Sequence, residues 1–127
     1  YFDSFTLDPS RDGEEVMRLL YFFIASGLGA VTRYLIDTQM RKLYKFPIGI
    51  LIVNVIGSFL LGLIIGDASD IAFALIGFCG ALTTWSAFAL DLDGARSRGR
   101  NKEFFMNIFL NYSATIIAML AGLWVSR

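Results

Sequence analysis

Four apolar stretches, each about 20 residues long, restrict the fold of this chain more than any other feature. They are roughly Leu19–Ile36, Ile48–Ile65, Ile71–Leu90 and Phe104–Val125. A helix of about 20 apolar residues crosses the ~30 Å hydrocarbon core of a bilayer. Hydrophobic residues make up 56% of the 127 residues and charged residues 17%, whereas soluble domains have about 45–50% and 25%. We therefore expect an all-α membrane protein with four transmembrane helices.

The rest of the chain is too short for a second, soluble domain. We expect one membrane domain, residues 19–127, preceded by an extramembrane lead-in, residues 1–18, that is rich in acidic residues. Asp12 and Glu15 have the spacing of a capping box, which predicts a helix start near Asp12. We expect upstream residues to be missing, because the chain begins with Tyr1 rather than Met. We expect no secretory signal peptide, because no basic segment precedes an apolar core.

The connections between spans are short, so consecutive spans must be antiparallel; they are Asp37–Pro47, Gly66–Asp70 and Asp91–Glu103. Lys and Arg are enriched in the cytoplasmic loops of membrane proteins. Eight of the eleven lie on the side of the first and third connections: Arg33, Arg41, Lys42, Lys45, Arg96, Arg98, Arg100 and Lys102. The other side has only Arg11, Arg18 and Arg127. We therefore expect the two basic connections to be cytoplasmic and both termini to be outside.

The composition excludes several classes of function. The chain has no histidine and one cysteine, Cys79, so it can form neither an internal disulfide nor an imidazole or thiolate metal site. His- and Cys-based catalysis is largely ruled out for the same reason, and no nucleophile and base are paired, so we expect no enzyme. Lys plus Arg and Asp plus Glu both number 11, and this balance gives no reason to expect a nucleic-acid partner.

Polar side chains inside the second and fourth spans are costly unless they face the bundle interior or a wet path. Asn54 lies near the middle of the second span, where its amide either clips two helices together or hydrogen-bonds an anion. Asn107, Asn111 and Thr115 recur every four residues and form a polar stripe on one face of the fourth span. Three polar residues on one face favour a polar pathway for a solute over a single hydrogen bond between helices. None of them is charged, which argues against a proton relay.

The third span combines Gly77 and Gly80 with the hydroxyl-rich run Thr83-Thr84-Trp85-Ser86. Glycine is entropically costly in a helix, and hydroxyl groups compete for backbone hydrogen bonds. A helix break is plausible here, and its freed carbonyls could coordinate a hard cation, although the residues alone favour a packing kink. Trp85 and Phe88 share a helical face, where they either pack or present positive ring edges to a small anion.

Taken together, the spans resemble the Fluc/CrcB family of fluoride channels from Gly27 to about Val125. The resemblance rests on three motifs that occur in order: Gly29-Ala30-x-x-Arg33-Tyr34, Gly49-x4-Asn54-x2-Gly57-Ser58 and Gly77-Phe78-Cys79-Gly80-x-Leu82-Thr83-Thr84-x-Ser86-x-Phe88. Each motif is weak alone, but the ordered set in a four-span chain of this size is specific. The resemblance implies a passive fluoride channel in the lipid of the plasma membrane, built as an antiparallel dimer with two fluoride pathways and a break in the third helix of each subunit.

The resemblance also implies residue roles. The residues implied for the fluoride pathway are Asn54, Trp85, Phe88, Asn107, Asn111, Thr115 and Arg33. Amide and hydroxyl groups would hydrogen-bond the dehydrating fluoride, ring edges would face it, and the arginine would raise the local anion concentration. The backbone carbonyls of Gly80 and Thr83, with those of the partner subunit, would hold a structural sodium ion.

Four positions depart from the family pattern. Trp85 stands where phenylalanine is usual, and Ala81 stands where a second glycine is usual. Asn107 and Asn111 replace an expected tyrosine and serine. The predicted pathway is therefore more polar than is usual for the family, and its aromatic end is bulkier.

Two other functions fit parts of the sequence. A small four-span drug/proton antiporter also forms antiparallel dimers, but it needs a carboxylate inside the membrane. The acidic residues nearest the spans all lie at span ends: Asp37, Asp67, Asp70 and Asp91. A structural or assembly subunit would need no polar stripe. The uneven division of Lys and Arg favours pairing with an oppositely oriented homologue, and an identical partner chain is the alternative.

Overall fold

Residues 9–127 are described by a computed structural model, in which five α-helices contain nearly all of them. The helices are α1 (Pro9–Leu43), α2 (Ile48–Ile64), α3 (Asp70–Leu82), α4 (Trp85–Ser97) and α5 (Asn101–Val125). No strand occurs within residues 9–127, so the all-α prediction is confirmed for that range. The first eight residues of the predicted lead-in lie outside the described residues.

The apolar surface of these helices is that of a membrane protein. Three segments are long and apolar enough to cross a bilayer: Arg11–Leu43, Asp70–Ser97 and Asn101–Val125. α2 has 17 residues and extends about 25 Å at 1.5 Å per residue. Large side chains project outward, such as Phe23 and Ile117, which are 66% and 65% exposed. Such exposure over a whole molecule is unfavourable in water, so these faces meet lipid or another subunit.

The helices run further than the apolar pattern predicts. α1 begins at Pro9 rather than near Asp12 and ends at Leu43, and α4 ends at Ser97. Proline suits the first turn of a helix because its missing N–H would have no partner there. Backbone hydrogen bonding continues beyond the apolar residues, so the pattern marks the end of the span and not the end of the helix. The connections predicted at 37–47 and 91–103 are therefore too long, and the observed ones are 44–47 and 98–100.

Two pairs of helices pack most closely, α1 along α3 and α2 along α5. The two helices of the first pair run in the same direction, because Arg18, in the first third of α1, ion-pairs at 2.8 Å with Asp70, the first residue of α3. Further along the same pair, Gly29 lies against Leu82. Consecutive spans thus run in opposite directions, and the partners in each of these two close pairs are not consecutive in the chain.

Glycines bring the helix axes together in both close pairs. Gly29 and Gly77 each lie against the backbone of the other helix in the α1–α3 pair, and Gly62 and Gly122 do the same in the α2–α5 pair. A Cβ atom at any of these four positions would overlap neighbouring backbone atoms. Membrane helices associate through such close contacts, because lipid supplies no hydrophobic drive between them.

Gly29→Ala is expected to destabilise the protein by about 1–3 kcal/mol, because the new Cβ would overlap the backbone of Phe78 and Leu82. Gly27→Ala is the matched control on α1, since nothing lies within 4 Å of its Cβ position and alanine is the better helix former. Thermal unfolding of the detergent-purified variants measures both effects. Equal unfolding midpoints for the two variants would contradict this packing.

Candidate functional site

The third span contains two helices, α3 and α4, separated by Thr83 and Thr84. Both residues are extended, with ψ of 151° at Thr83 and 126° at Thr84. The N–H of Thr84 donates to Oδ1 of Asn54 at 2.9 Å, whereas in a continuous helix it would donate to the carbonyl of Gly80. The Asn54 side chain on α2 therefore takes the place of a backbone acceptor where α3 ends.

α4 begins with a side-chain cap from Thr84. Its Oγ1 accepts from the N–H of Ala87 at 3.2 Å, as an N-cap threonine does. In a continuous helix the Ala87 N–H would donate to the carbonyl of Thr83. Each N–H has one hydrogen, so the carbonyls of Gly80 and Thr83 are left without their helical donors. Nothing lies within 4 Å of the Cβ position at Gly80, which is exposed.

Three asparagine side chains join α2, the start of α4 and α5 into one network. Nδ2 of Asn54 donates to Oδ1 of Asn111 at 3.1 Å and, over a longer distance of 3.4 Å, to the carbonyl of Thr84. Nδ2 of Asn111 donates to Oδ1 of Asn107 at 2.7 Å. Asn107 and Asn111 are only 2% and 5% exposed. Buried amides are costly unless they are hydrogen-bonded, and this network supplies their partners.

Three aromatic rings lie beside the network. The ring centroids of Trp85 and Phe88 are 5.3 Å apart, and Tyr112 of α5 meets both rings edge-to-face at 6.3 and 6.2 Å. Phe88 is 2% exposed and Trp85 is 66% exposed, so Phe88 is the buried member of the cluster. Aromatic ring edges carry partial positive charge, so this cluster can meet an anion without a formal cation.

The network and the rings line a cleft of about 420 Å³. Apart from the aliphatic Leu61, its lining is polar, small or aromatic and consists of Asn54, Ser58, Gly80, Thr83, Thr84, Trp85, Phe88, Asn111, Tyr112 and Thr115. No Asp, Glu, Lys or Arg side chain belongs to this lining. Such a cleft can hydrogen-bond a small solute, but it offers no carboxylate to bind a cation or carry a proton.

The cleft brings together most of the residues predicted from the sequence; those in its lining are Asn54, Gly80, Thr83, Trp85, Phe88, Asn111 and Thr115. Asn107 lies behind the lining and contacts it through Asn111. The Thr115 hydroxyl donates to the carbonyl of Asn111 one turn earlier. Arg33 lies on α1, partly buried and outside the lining.

Ser58, Thr84 and Tyr112 line the cleft but are absent from the predicted site. Ser58 lies one turn after Asn54 on the same face, and this spacing could have indicated it. Thr84 could have been identified as the N-cap of a second helix. The position of Tyr112 depends on how α4 packs against α5, which no spacing within one span indicates.

Comparisons with known proteins identify the family. The family model described as CrcB-like protein, Camphor Resistance (CrcB), matches residues 20–123. The chain belongs to the CrcB family. The matched residues include α2, α3, α4 and most of α1 and α5, and with them the whole cleft.

Several similar proteins carry the name fluoride-specific ion channel FluC. The protein of Pyrococcus horikoshii is 39% identical, with 82% of this chain and 91% of the relative covered. The protein of Shewanella loihica is 37% identical with the same coverage, and that of Parabacteroides distasonis is 34% identical over 88% of this chain and 94% of the relative. The resemblance to the Fluc/CrcB family is therefore confirmed, and so is the expectation of a family of ion channels rather than enzymes.

Asn54→Leu is expected to lower stability by about 1–3 kcal/mol for each buried partner it leaves unpaired. The partners are the N–H of Thr84 and Oδ1 of Asn111. Ser58→Ala is the control, because it changes the same cleft outside the asparagine network. Thermal unfolding and amide hydrogen exchange at Thr84 measure the effect. An Asn54→Leu protein as stable as Ser58→Ala, with unchanged exchange at Thr84, would show that the network is not structural.

Proposed function

We propose that this chain is a subunit of a passive, fluoride-selective channel that exports fluoride across the plasma membrane. Two observations support the proposal: the chain belongs to the CrcB family, with similar proteins named fluoride-specific ion channels, and its cleft contains amide and hydroxyl groups but no charged side chain. The asparagine network on the cleft wall carries the most weight. It supplies hydrogen-bond donors at the depth where an anion would lose its water.

The fluoride pathway passes the side chains of Asn54, Asn111 and Thr115. A fluoride ion accepts hydrogen bonds strongly, so amide N–H groups can replace part of its water shell. The 3.4 Å bond from Asn54 to the Thr84 carbonyl is the longest in the network, and it is the bond that a passing fluoride ion would replace. The Thr115 hydroxyl can rotate from the backbone toward the ion, as hydroxyl groups do. Asn107 holds Asn111 in place from behind.

Selectivity in this proposal comes from small size and fixed donors. The rings of Trp85 and Phe88 flank the amides, and their positive edges face the ion while leaving little room for a larger halide. No lysine or arginine lines the cleft, so the ion is held weakly enough to leave. Arg33 lies outside the lining and acts earlier, by raising the anion concentration at the pathway entrance.

The third span acts as a discontinuous transmembrane helix whose free carbonyls fit a sodium ion. The carbonyls of Gly80 and Thr83 lack helical donors, and Gly80 is open on its outer side. A hard cation prefers such oxygen ligands. Two carbonyls are too few to surround it, so a second subunit supplies the others. When bound, the ion would provide a positive charge that holds the two subunits together.

The active assembly is an antiparallel dimer in lipid, with an identical chain or a homologue in the opposite orientation. The outward faces of the helices leave room for such a partner, since their exposed large apolar side chains need either lipid or a second subunit. The uneven division of Lys and Arg favours an orientation with both termini outside the cell, and it favours a homologous partner. A proton-coupled antiporter is disfavoured, because the cleft lining contains no carboxylate.

Halide efflux from liposomes that contain the purified protein tests this function. We expect rapid fluoride release without chloride release and without a proton gradient, because only the smaller ion fits between donors and ring edges. Empty liposomes are the control. Release of chloride at the same rate, or fluoride release that stops when the proton gradient is abolished, would contradict the proposal.

Phe88→Ile is expected to slow fluoride efflux by up to about tenfold, since a ring-edge interaction is worth about 0.5–1.5 kcal/mol. Isoleucine keeps the apolar bulk, so the fold should persist. Phe109→Ile is the matched control, because Phe109 is 70% exposed on α5 and lies outside the cleft lining. Equal efflux from the two variants would make the Phe88 ring a packing residue only.

A further inference from the structure

α1 is one continuous helix of 35 residues that runs beside a span made of two helices. An ion pair joins it to each of them. Arg18 pairs with Asp70 at the start of α3, at 2.8 Å. Arg41 pairs with Asp91 on α4, with Nη2 at 3.0 and 3.2 Å from the two carboxylate oxygens. α1 therefore bridges the interruption between α3 and α4 and is tied to both helices.

The two ion pairs differ in the packing contacts that accompany them between each helix and α1. α3 packs along α1 over much of its length, and the side chains of Arg18 and Asp70 are 41% and 62% exposed. α4 packs mainly on α5 and makes little contact with α1. The Asp91 side chain is only 11% exposed. The Arg41–Asp91 pair is thus the principal link between α4 and the long helix.

Arg41 is itself held in place for this role. Its Nε donates to Oδ2 of Asp37 at 2.9 Å, one turn earlier on α1, while Nη2 reaches Asp91. A guanidinium group can bridge two carboxylates in this way because its donors form a rigid, planar fork. A lysine ammonium would keep the charge but lose the fixed geometry.

The position of Asp91 on α4 connects this ion pair to the cleft. Phe88 precedes Asp91 by three residues, and residues at this spacing are neighbours on a helix surface. Thr84, two turns before Asp91, is held by Asn54. α4 is therefore fixed at its N-cap by α2 and near its middle by α1, and Phe88 lies between these two points in the chain.

We propose that Arg41 and Asp91 are positioning residues whose ion pair sets the height and rotation of α4 and so places the Phe88 ring in the cleft. Neither residue touches the permeating ion, because neither lines the cleft. The inference rests on the proposed fluoride conduction, for which Phe88 forms part of the pathway.

The experiment compares Asp91→Ala with Asp70→Ala, the matched change in the other ion pair. Asp91→Ala leaves the Arg41–Asp37 pair intact, so it removes only the tie to α4. Fluoride efflux from liposomes gives the functional readout. Fluorescence of Trp85, on the first turn of α4, gives a readout that needs no fluoride; Trp124→Phe removes the other tryptophan, since the chain has two.

We expect Asp91→Ala to slow fluoride efflux by about tenfold, as for a misplaced functional group, and to change the emission maximum and acrylamide quenching of Trp85. Asp70→Ala should leave the fluoride efflux and the Trp85 fluorescence near the values of the unsubstituted protein. The exchanged pair Arg41→Asp with Asp91→Arg should recover most of the efflux and restore the Trp85 emission, because the new arginine can pair with position 41 and Asp37. If Asp91→Ala does not fold, Arg41→Lys should show the same changes to a smaller degree.

Unchanged Trp85 fluorescence in a folded Asp91→Ala or Arg41→Lys protein would overturn the inference, and so would equal losses in Asp91→Ala and Asp70→Ala. Failure of the function is a separate result: the unsubstituted protein would release no fluoride, while the Trp85 signal still responded to Asp91→Ala and to the exchanged pair.

Discussion

The hydrogen bond from the Thr84 N–H to Oδ1 of Asn54 is the interaction on which the rest of this structure depends. Inside a membrane no water can satisfy a backbone group that leaves the helix, so an interruption needs a protein partner. The side-chain amide of Asn54 pairs with both backbone groups of Thr84: it accepts from the N–H at 2.9 Å and donates to the carbonyl at 3.4 Å. α3 can therefore end and α4 can begin at bilayer depth without a buried, unpaired N–H at Thr84.

The chemistry of the cleft follows from where the charged residues lie. The ion pairs among residues 9–127 lie outside the cleft lining, where Arg18, Arg41 and Arg100 meet acidic partners. The cleft itself contains amides, hydroxyl groups and rings. This separation suits a small anion that needs donors in place of water but would be trapped by a formal positive charge. Ion pairs outside the cleft instead hold helices together, as Arg41 and Asp91 do between α1 and α4.

Much of the fold could be predicted from the sequence, because each signal was local to one helix. Apolar runs of the right length indicated the spans, and the interval of four residues placed Asn107 and Asn111 on one face, where they are hydrogen-bonded. The glycines and hydroxyl residues around Thr83 indicated an irregularity, either a break or a packing kink, at the position that separates α3 from α4. The end of α1 at Leu43 was missed, because a charged turn outside the membrane carries no hydrophobic signal.

Other features could not be predicted because they depend on contacts between helices. Asn54 was open to two interpretations, a helix clip or an anion ligand, and only its contacts with Thr84 and Asn111 show that it links helices. Tyr112 lies off the polar stripe of its own helix, yet it meets the rings of α4. The pairing of Arg41 with Asp91 joins residues 50 positions apart, a distance at which spacing carries no information.

The central claim is that two side chains divert backbone donors at the interruption between α3 and α4: Asn54 takes the donor of the Gly80 carbonyl, and the Thr84 hydroxyl takes the donor of the Thr83 carbonyl. Solid-state NMR of the protein in lipid bilayers tests it through the carbonyl ¹³C shifts of Gly80 and Thr83, with sodium present or replaced by a large organic cation. The Cys79 carbonyl, which accepts from the Thr83 N–H at 2.9 Å, is the internal reference. The account predicts that the Gly80 and Thr83 shifts move with sodium while that of Cys79 stays constant. Shifts typical of a continuous helix at all three residues, unchanged by sodium, would contradict it.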